Sequence, residues 1–323
     1  MNLKQIIICI SEFLSSTSYT ILSSFYPGLA VSKGIPIWLI GIIFCIDPLV
    51  GLPVSVIAGK NMQKLGRRFV LIFGMSLGSI GMLLIAFIES SDYTGAIVIS
   101  IFSRVLAGVG AGCSMTAAPS ILISEYPGQT DKLIGYFEAA SGLGLLVGPL
   151  IGSLFSLFDI TLSFYLTSGV YAIYTIVAYF VIGKLKTSTV STEILNFKTI
   201  VFKPVISIQK LFLNFFAQLW LLFSLGYLST IIELHLKSFN QSSFMVGIFY
   251  GVCTTAYFLF SLFESKISHC FLPQITILIG ILGTSASFLL IGPWELVFGR
   301  RLIPVIIGLG GLGISGALMY SNK

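Results

Sequence analysis

The chain has 323 residues, of which 56% are hydrophobic and only 9% charged, against roughly 25% charged in ordinary soluble domains. Its 12 acids and 18 Lys/Arg cannot coat 35.0 kDa of chain with a mean hydropathy of +1.00. A soluble enzyme, a disordered protein and a secreted disulfide scaffold are therefore excluded, and an all-α polytopic membrane protein remains. The net charge of +6 does not point to nucleic acid, because the basic residues lie between apolar runs and read as topology signals.

A helix needs about 20 apolar residues to cross the hydrocarbon core, and helices satisfy their own backbone there. In chain order the runs Ile6–Leu29, Ile37–Ala58, Phe69–Ile88, Gly95–Ile121, Leu133–Phe158 and Leu162–Ile182 read as six spans. After a gap come Leu211–Ile232, Phe244–Phe263, Leu272–Ile291 and Leu302–Tyr320. The first run lacks the basic flank and small-residue cleavage site of a signal peptide, so it reads as a retained helix. The expected domains are a six-helix bundle over 1–183, a cytosolic loop over 184–210 and a four-helix bundle over 211–323. A six-plus-six transporter plan has two more helices than that, so the second bundle reads as incomplete.

With the N-terminus in the cytosol, the inside loops hold Lys60, Lys64, Arg67, Arg68, Lys132, Lys184, Lys186, Lys198, Lys203, Lys210 and Lys266. The outside loops hold only Lys33, Lys237, Arg300 and Arg301. The bias sets the N-terminus inside and leaves plasma membrane and vesicle or vacuole equally open. Cys9, Cys45, Cys113, Cys253 and Cys270 have no paired or metal-like spacing, so neither disulfides nor a metal site is expected.

Three glycine-rich segments carry a family likeness. The loop after span two reads Gly59-Lys-Asn-Met-Gln-Lys-Leu-Gly66-Arg67-Arg68. In it Gly59 allows close approach to a neighbour, Gly66 a tight turn, and the Arg pair an anchor at the anionic leaflet. Span four holds Arg104-Val-Leu-Ala-Gly108-Val-Gly110-Ala-Gly112, with Gly108 and Gly112 on one small-residue face. Span five holds Glu138-Ala-Ala-Ser141-Gly142-Leu-Gly144, then Gly148-Pro149-Leu-Ile-Gly152. There Gly144, Gly148 and Gly152 form a packing stripe and Pro149 removes a backbone bond, bending the span.

These segments resemble the major facilitator superfamily: its loop signature, its fourth-helix motif and the fifth-helix motif of its proton-coupled antiporters. The phrase Glu138–Gly152, with Ser18–Leu22 and Phe25-Tyr26-Pro27, is similar to the vesicular amine and polyamine branch. The likeness covers most of the first six spans and continues more thinly through the other four. It implies exchange of protons for a small organic cation or drug-like solute by alternating access. Two departures stand out. Gln63 replaces the family's loop acid, and the second repeat's loop signature is eroded at Ser261 and Ser265.

Four acids fall inside spans: Glu12, Asp47, Glu138 and Glu233. Ionisable groups in a bilayer are costly and face a cavity or a partner, so each is a candidate proton or cation site. Glu138 lies on the antiporter-motif helix, and reads either as a proton or cation site or as a structural partner for Arg104 or a loop base. Asp47 precedes Pro48 and can serve freed backbone groups instead. Pro48 and Pro53 make span two irregular, and related sequences place an acid about one turn later, at Gly51 here. Glu12 can snorkel to the cytosolic surface, and Glu233 can form a solvated rim pair with His235. Arg104 reads as a counter-ion ahead of a substrate ligand. Asn214 and Gln218 are further polar positions on span seven.

No zincin motif, nucleophile elbow or phosphate loop is present, so no enzyme and no cofactor is expected. Two functions remain. One is a proton-coupled antiporter of organic cations. The other is a transporter-derived scaffold or regulator, self-associating through its shorter half, for which Gln63 and the missing helices speak.

Overall fold

The structure is a computed structural model that describes residues 2–126, 128–183, 208–270, 273–292 and 302–320. It is all-helical: α1 (Leu3–Ser32), α2 (Ile37–Leu65), α3 (Arg67–Ala86), α4 (Tyr93–Glu125), α5 (Thr130–Phe155), α6 (Ile160–Ile182), α7 (Ile208–Ser238), α8 (Ser243–Cys270), α9 (Pro273–Ile291) and α10 (Leu302–Tyr320). Each falls on one of the expected spans. Among the described residues seven helices are long and apolar enough to cross a membrane, or eight with the bent α7, and α8 and α9 contribute shorter apolar stretches. Lys184, Lys186, Glu193, Lys198, Lys203, Glu295, Arg300 and Arg301 lie outside the described residues, as do the side chains of Lys210, Asn214, Gln218 and Lys266.

The chain forms two compact units, Met1–Ser188 with α1–α6 and Thr189–Lys323 with α7–α10. Local chemistry sets the helix ends. Asn2 opens α1 as a capping box, its N–H donating to Gln5 Oε1 at 2.9 Å. Asp92 caps α4 by accepting from Gly95 N at 3.1 Å, and Asp159 caps α6 by accepting from Thr161 N at 2.8 Å. Gly66 separates α2 from α3 at φ +86°, which favours glycine.

Glycine sets the spacing inside unit 1. α4 lies against both α2 and α3. A Cβ added at Gly112 would sit 2.7 Å from the Gly51 carbonyl oxygen, and one at Gly110 2.7 Å from that of Gly74. One at Gly108 would run into Val50 Cβ at 3.0 Å. The Gly144, Gly148 and Gly152 stripe of α5 faces α1, where added carbons would strike Ser16, Thr17 and Thr20, and Phe25. Side-chain-free backbones therefore touch, which is how membrane helices gain van der Waals contact without a hydrophobic drive.

Three local expectations change. A Cβ at Gly59 would meet only Thr116 Cγ2, at an ordinary 3.7 Å, so no close approach depends on that glycine. α2 continues as helix through Pro48 and Pro53, and α5 through Pro149, so none of the three interrupts its span. Arg68 does more than face a leaflet. Its guanidinium donates to the Tyr179 carbonyl and lies 4.3 Å from the Tyr179 ring centroid. Tyr179 carries one of the last four carbonyls of α6, which have no helical partner. Arg68 thus caps α6 and complements its negative end.

In unit 2, α10 packs on α8 and α9. A carbon added at Gly313 would crowd Tyr257 N at 2.8 Å, and one at Gly308 the Ser287 carbonyl oxygen at 2.8 Å. Trp220 on α7 donates to Thr284 Oγ1 on α9 at 2.8 Å.

Candidate functional site

The apolar core of unit 1 is divided in two. One cluster gathers Ile7–Leu14 of α1 with Ala58, Leu71, Ala117, Ile121 and Tyr174. The other gathers Ile21–Ala30 of α1 with Ile40, Ile43, Ile85 and Phe164. Between them α1 carries Ser15, Ser16, Thr17, Ser18 and Thr20, α2 Asp47, α3 Ser79, α4 Ser103 and Arg104, and α6 Thr167 and Ser168. These form a polar layer across the bundle. Its members are bonded to one another: Ser79 Oγ donates to the Ser168 carbonyl at 3.0 Å and Ser168 Oγ to that of Ser79 at 2.9 Å. Ser103 Oγ donates to the Gly81 carbonyl at 2.8 Å.

Within this layer Arg104 Nη1 pairs with Asp47 Oδ2 at 3.4 Å. The Arg104 side chain is 4% exposed and that of Asp47 23%. Tyr19 and Tyr26 of α1 also act on the guanidinium. The pair joins positions 57 apart in sequence, across the contact that Gly108 permits between α2 and α4. The Asp47 carboxylate therefore serves Arg104 and not the backbone freed by Pro48. Arg104 likewise finds its counter-ion in Asp47 and not in Glu138.

Glu12 and Glu138 come together at the α1–α5 seam. Glu12 is 5% exposed, so it does not snorkel to a surface. Ser16 follows it by one turn on the same face of α1, and Ser16, Ser141 and Glu138 are the polar groups that act on it. Ser16 Oγ and Ser141 Oγ lie 2.8 Å apart. Glu138 itself is exposed. Beside this cluster Tyr171 of α6 donates to Ser15 Oγ at 3.3 Å.

Glu233 also departs from expectation. It is fully buried and pairs with Lys237 Nζ at 2.6 Å, one helical turn away, so it is not a solvated rim group. Gly59, Gly66, Arg67 and Arg68 form the α2–α3 connection, away from the polar layer. Sequence reasoning gave no role to Ser16, Ser79, Ser168 or Tyr171. The signal available was the run Ser15-Ser16-Thr17-Ser18 inside an apolar span. No group of three or more metal-type ligands occurs among the described residues.

A bundle of apolar helices that buries an ion pair, a carboxyl and a hydroxyl layer defines an integral, multi-pass membrane protein of transporter architecture. The chain belongs to the Major Facilitator Superfamily, whose model matches residues 8–322 and whose members are transporters, not enzymes. The superfamily likeness drawn from the loop and glycine motifs therefore stands. The chain is 33% identical to the MFS-type transporter SLC18B1 of Mus musculus over 138 residues, 42% of this chain and 30% of that protein. It is 33% identical to the class B tetracycline resistance protein of Escherichia coli over 94 residues, 29% of this chain and 22% of that one. Each match thus spans less than a third of the relative's length. In fold it is similar to the inward-open xylose transporter XylE from E. coli, with a TM-score of 0.74 at 13% identity, over 98% of this chain and 80% of that one.

Proposed function

We propose that the protein is a secondary transporter that exchanges protons for small organic cations, of amine, polyamine or drug-like character, by alternating access. The observation that carries this reading is the placement of carboxyls inside membrane helices of unit 1: Glu12 at the α1–α5 seam, open to Glu138, and Asp47 opposite Arg104 in the polar layer. Groups so costly to bury are retained where they bind ions or move charge. The likeness to SLC18B1 and to a tetracycline resistance protein supports a solute-moving role. In this reading the N-terminus is cytosolic, residues 1–183 and 211–323 are the two bundles, 184–210 is the loop between them, and the two bundles rock about a midplane site.

The test is uptake into proteoliposomes under an imposed pH gradient, with amines, polyamines and tetracycline as substrates. Gradient-dependent uptake that collapses with a protonophore is expected. Absence of such flux for every class counts against the reading. The alternative, a non-transporting scaffold that self-associates, takes its support from the exposed apolar face of α7, with Phe215, Phe216 and Phe223. A stable oligomer combined with no flux would favour it.

A further inference from the structure

We infer that Glu12 on α1, and neither Glu138 nor Asp47, is the residue of unit 1 that carries the exchanged proton, with Glu138 relaying protons between it and the surroundings. The inference rests on the proton-coupled reading above and assigns roles within it.

The three carboxyls differ in their company. Asp47 faces Arg104 at 3.4 Å, and removing the charge of one partner in a buried pair strands the other. Glu138 is exposed. Glu12 is 5% exposed, and the polar groups beside it are the hydroxyls of Ser16, one turn on along α1, and of Ser141, which Ser16 bonds. A hydroxyl donates to a carboxylate and accepts from a carboxylic acid with equal ease. The Ser16–Ser141 pair, 2.8 Å apart, can therefore serve Glu12 in either state by rotating its protons. No guanidinium or ammonium is needed to complete this cage.

The surroundings fit the same role. From α5 the ionisable group facing Glu12 is Glu138, which lies one turn before Ser141. From α6 it is Tyr171, bonded to Ser15 at 3.3 Å, with Tyr174 bonded to the Ile7 carbonyl at 3.0 Å. The charged groups of α2 and α4 in the polar layer, Asp47 and Arg104, pair with each other. Deeper along the seam, Gly144 and Gly148 bring the backbones of α1 and α5 into contact. The route out therefore runs toward Glu138. In the relay the Glu138 carboxylic acid gives its proton to the Glu12 carboxylate. Glu138 is left ionised and takes a new proton from outside, and net charge moves by one proton.

The test uses the full chain in lipid vesicles. A hydrophobic carbodiimide, dicyclohexylcarbodiimide, adds to carboxylic acids in apolar surroundings, and mass spectrometry locates the adduct. The expected result is an adduct on Glu12 that fades as pH rises and is absent in Glu12→Gln. Glu12→Gln should also lose gradient-driven uptake by roughly 100-fold or more while retaining exchange of labelled for unlabelled substrate without a gradient. Glu138→Gln should slow gradient-driven uptake yet leave the Glu12 adduct in place. An adduct on Asp47 or Glu138 with none on Glu12, or full gradient-driven uptake by Glu12→Gln, overturns the assignment. A pH-dependent Glu12 adduct in a protein with no gradient-driven flux would sink the transport reading and leave the buried proton site standing. Should Glu12→Gln fail to fold, Ser141→Ala replaces it. Loss of that hydroxyl must shift the pH at which the Glu12 adduct fades, and an unmoved profile refutes the serine cage.

Discussion

Replacing Gly144 by alanine tests whether the α1–α5 seam is set by glycine. A methyl carbon at that position lies 2.9 Å from Ser16 Cβ and 3.1 Å from Thr17 N, with the Phe13 carbonyl oxygen nearer still. Ordinary contact begins at 3.4 Å, and two of the three obstacles are backbone, which cannot swing aside. The helices must part by about half an ångström or more, at a cost of about 1–3 kcal/mol. Gly135 supplies the control on the same helix, since a methyl there meets nothing within 4 Å. Gly135→Ala should gain about 0.5–1 kcal/mol from helix propensity. The assay is thermal unfolding of the purified chain in detergent, read by a thiol-reactive dye at buried Cys9 and Cys113. Gly144→Ala should melt below the parent protein, and Gly135→Ala at or above it. Equal midpoints for the two variants would refute the claim that bare backbone contact holds the seam.

Arg104→Gln should destabilise the chain by about 3–5 kcal/mol by stranding Asp47, with the loss moderated because Asp47 is partly open. Asp47→Asn added to Arg104→Gln should recover much of it in the same melting assay. Arg68→Ala should lower stability by about 1–2 kcal/mol through loss of the Tyr179 bond and ring contact, and Arg68→Lys should recover only part of this because an ammonium lacks the planar fork. Trp220→Phe should cost unit 2 about 1 kcal/mol through the bond to Thr284, and tryptophan fluorescence together with the melting curve reads it.

The ten helices of the described residues were legible because each is an apolar run bounded by charge or by turn residues, and the glycine stripes of α4 and α5 were legible because a four-residue repeat places them on one face. The partnerships of the buried charges were not. Arg104 and Asp47 meet only because Gly108 lets α2 and α4 approach, and nothing in either segment announces the other. Glu12 was read along the helix axis, where its nearness to the N-terminus suggests a surface. Its burial is set radially: α1 is wrapped by α4, α5 and α6, and hydropathy does not encode which helix covers which face. Arg68 was assigned to lipid for a similar reason, since the end of α6 that it caps lies 111 residues later.

The hydroxyls of α1 bear on how the chain is made. Ser11, Ser15, Thr17, Ser18, Thr20 and Ser32 each bond a carbonyl three or four residues earlier on the same helix. These polar groups are thus satisfied within α1 itself, with no help from another segment. Once made, α1 can leave the translocon and wait in lipid with Glu12 as its chief burden, until α5 emerges more than a hundred residues after Glu12 and brings Ser141.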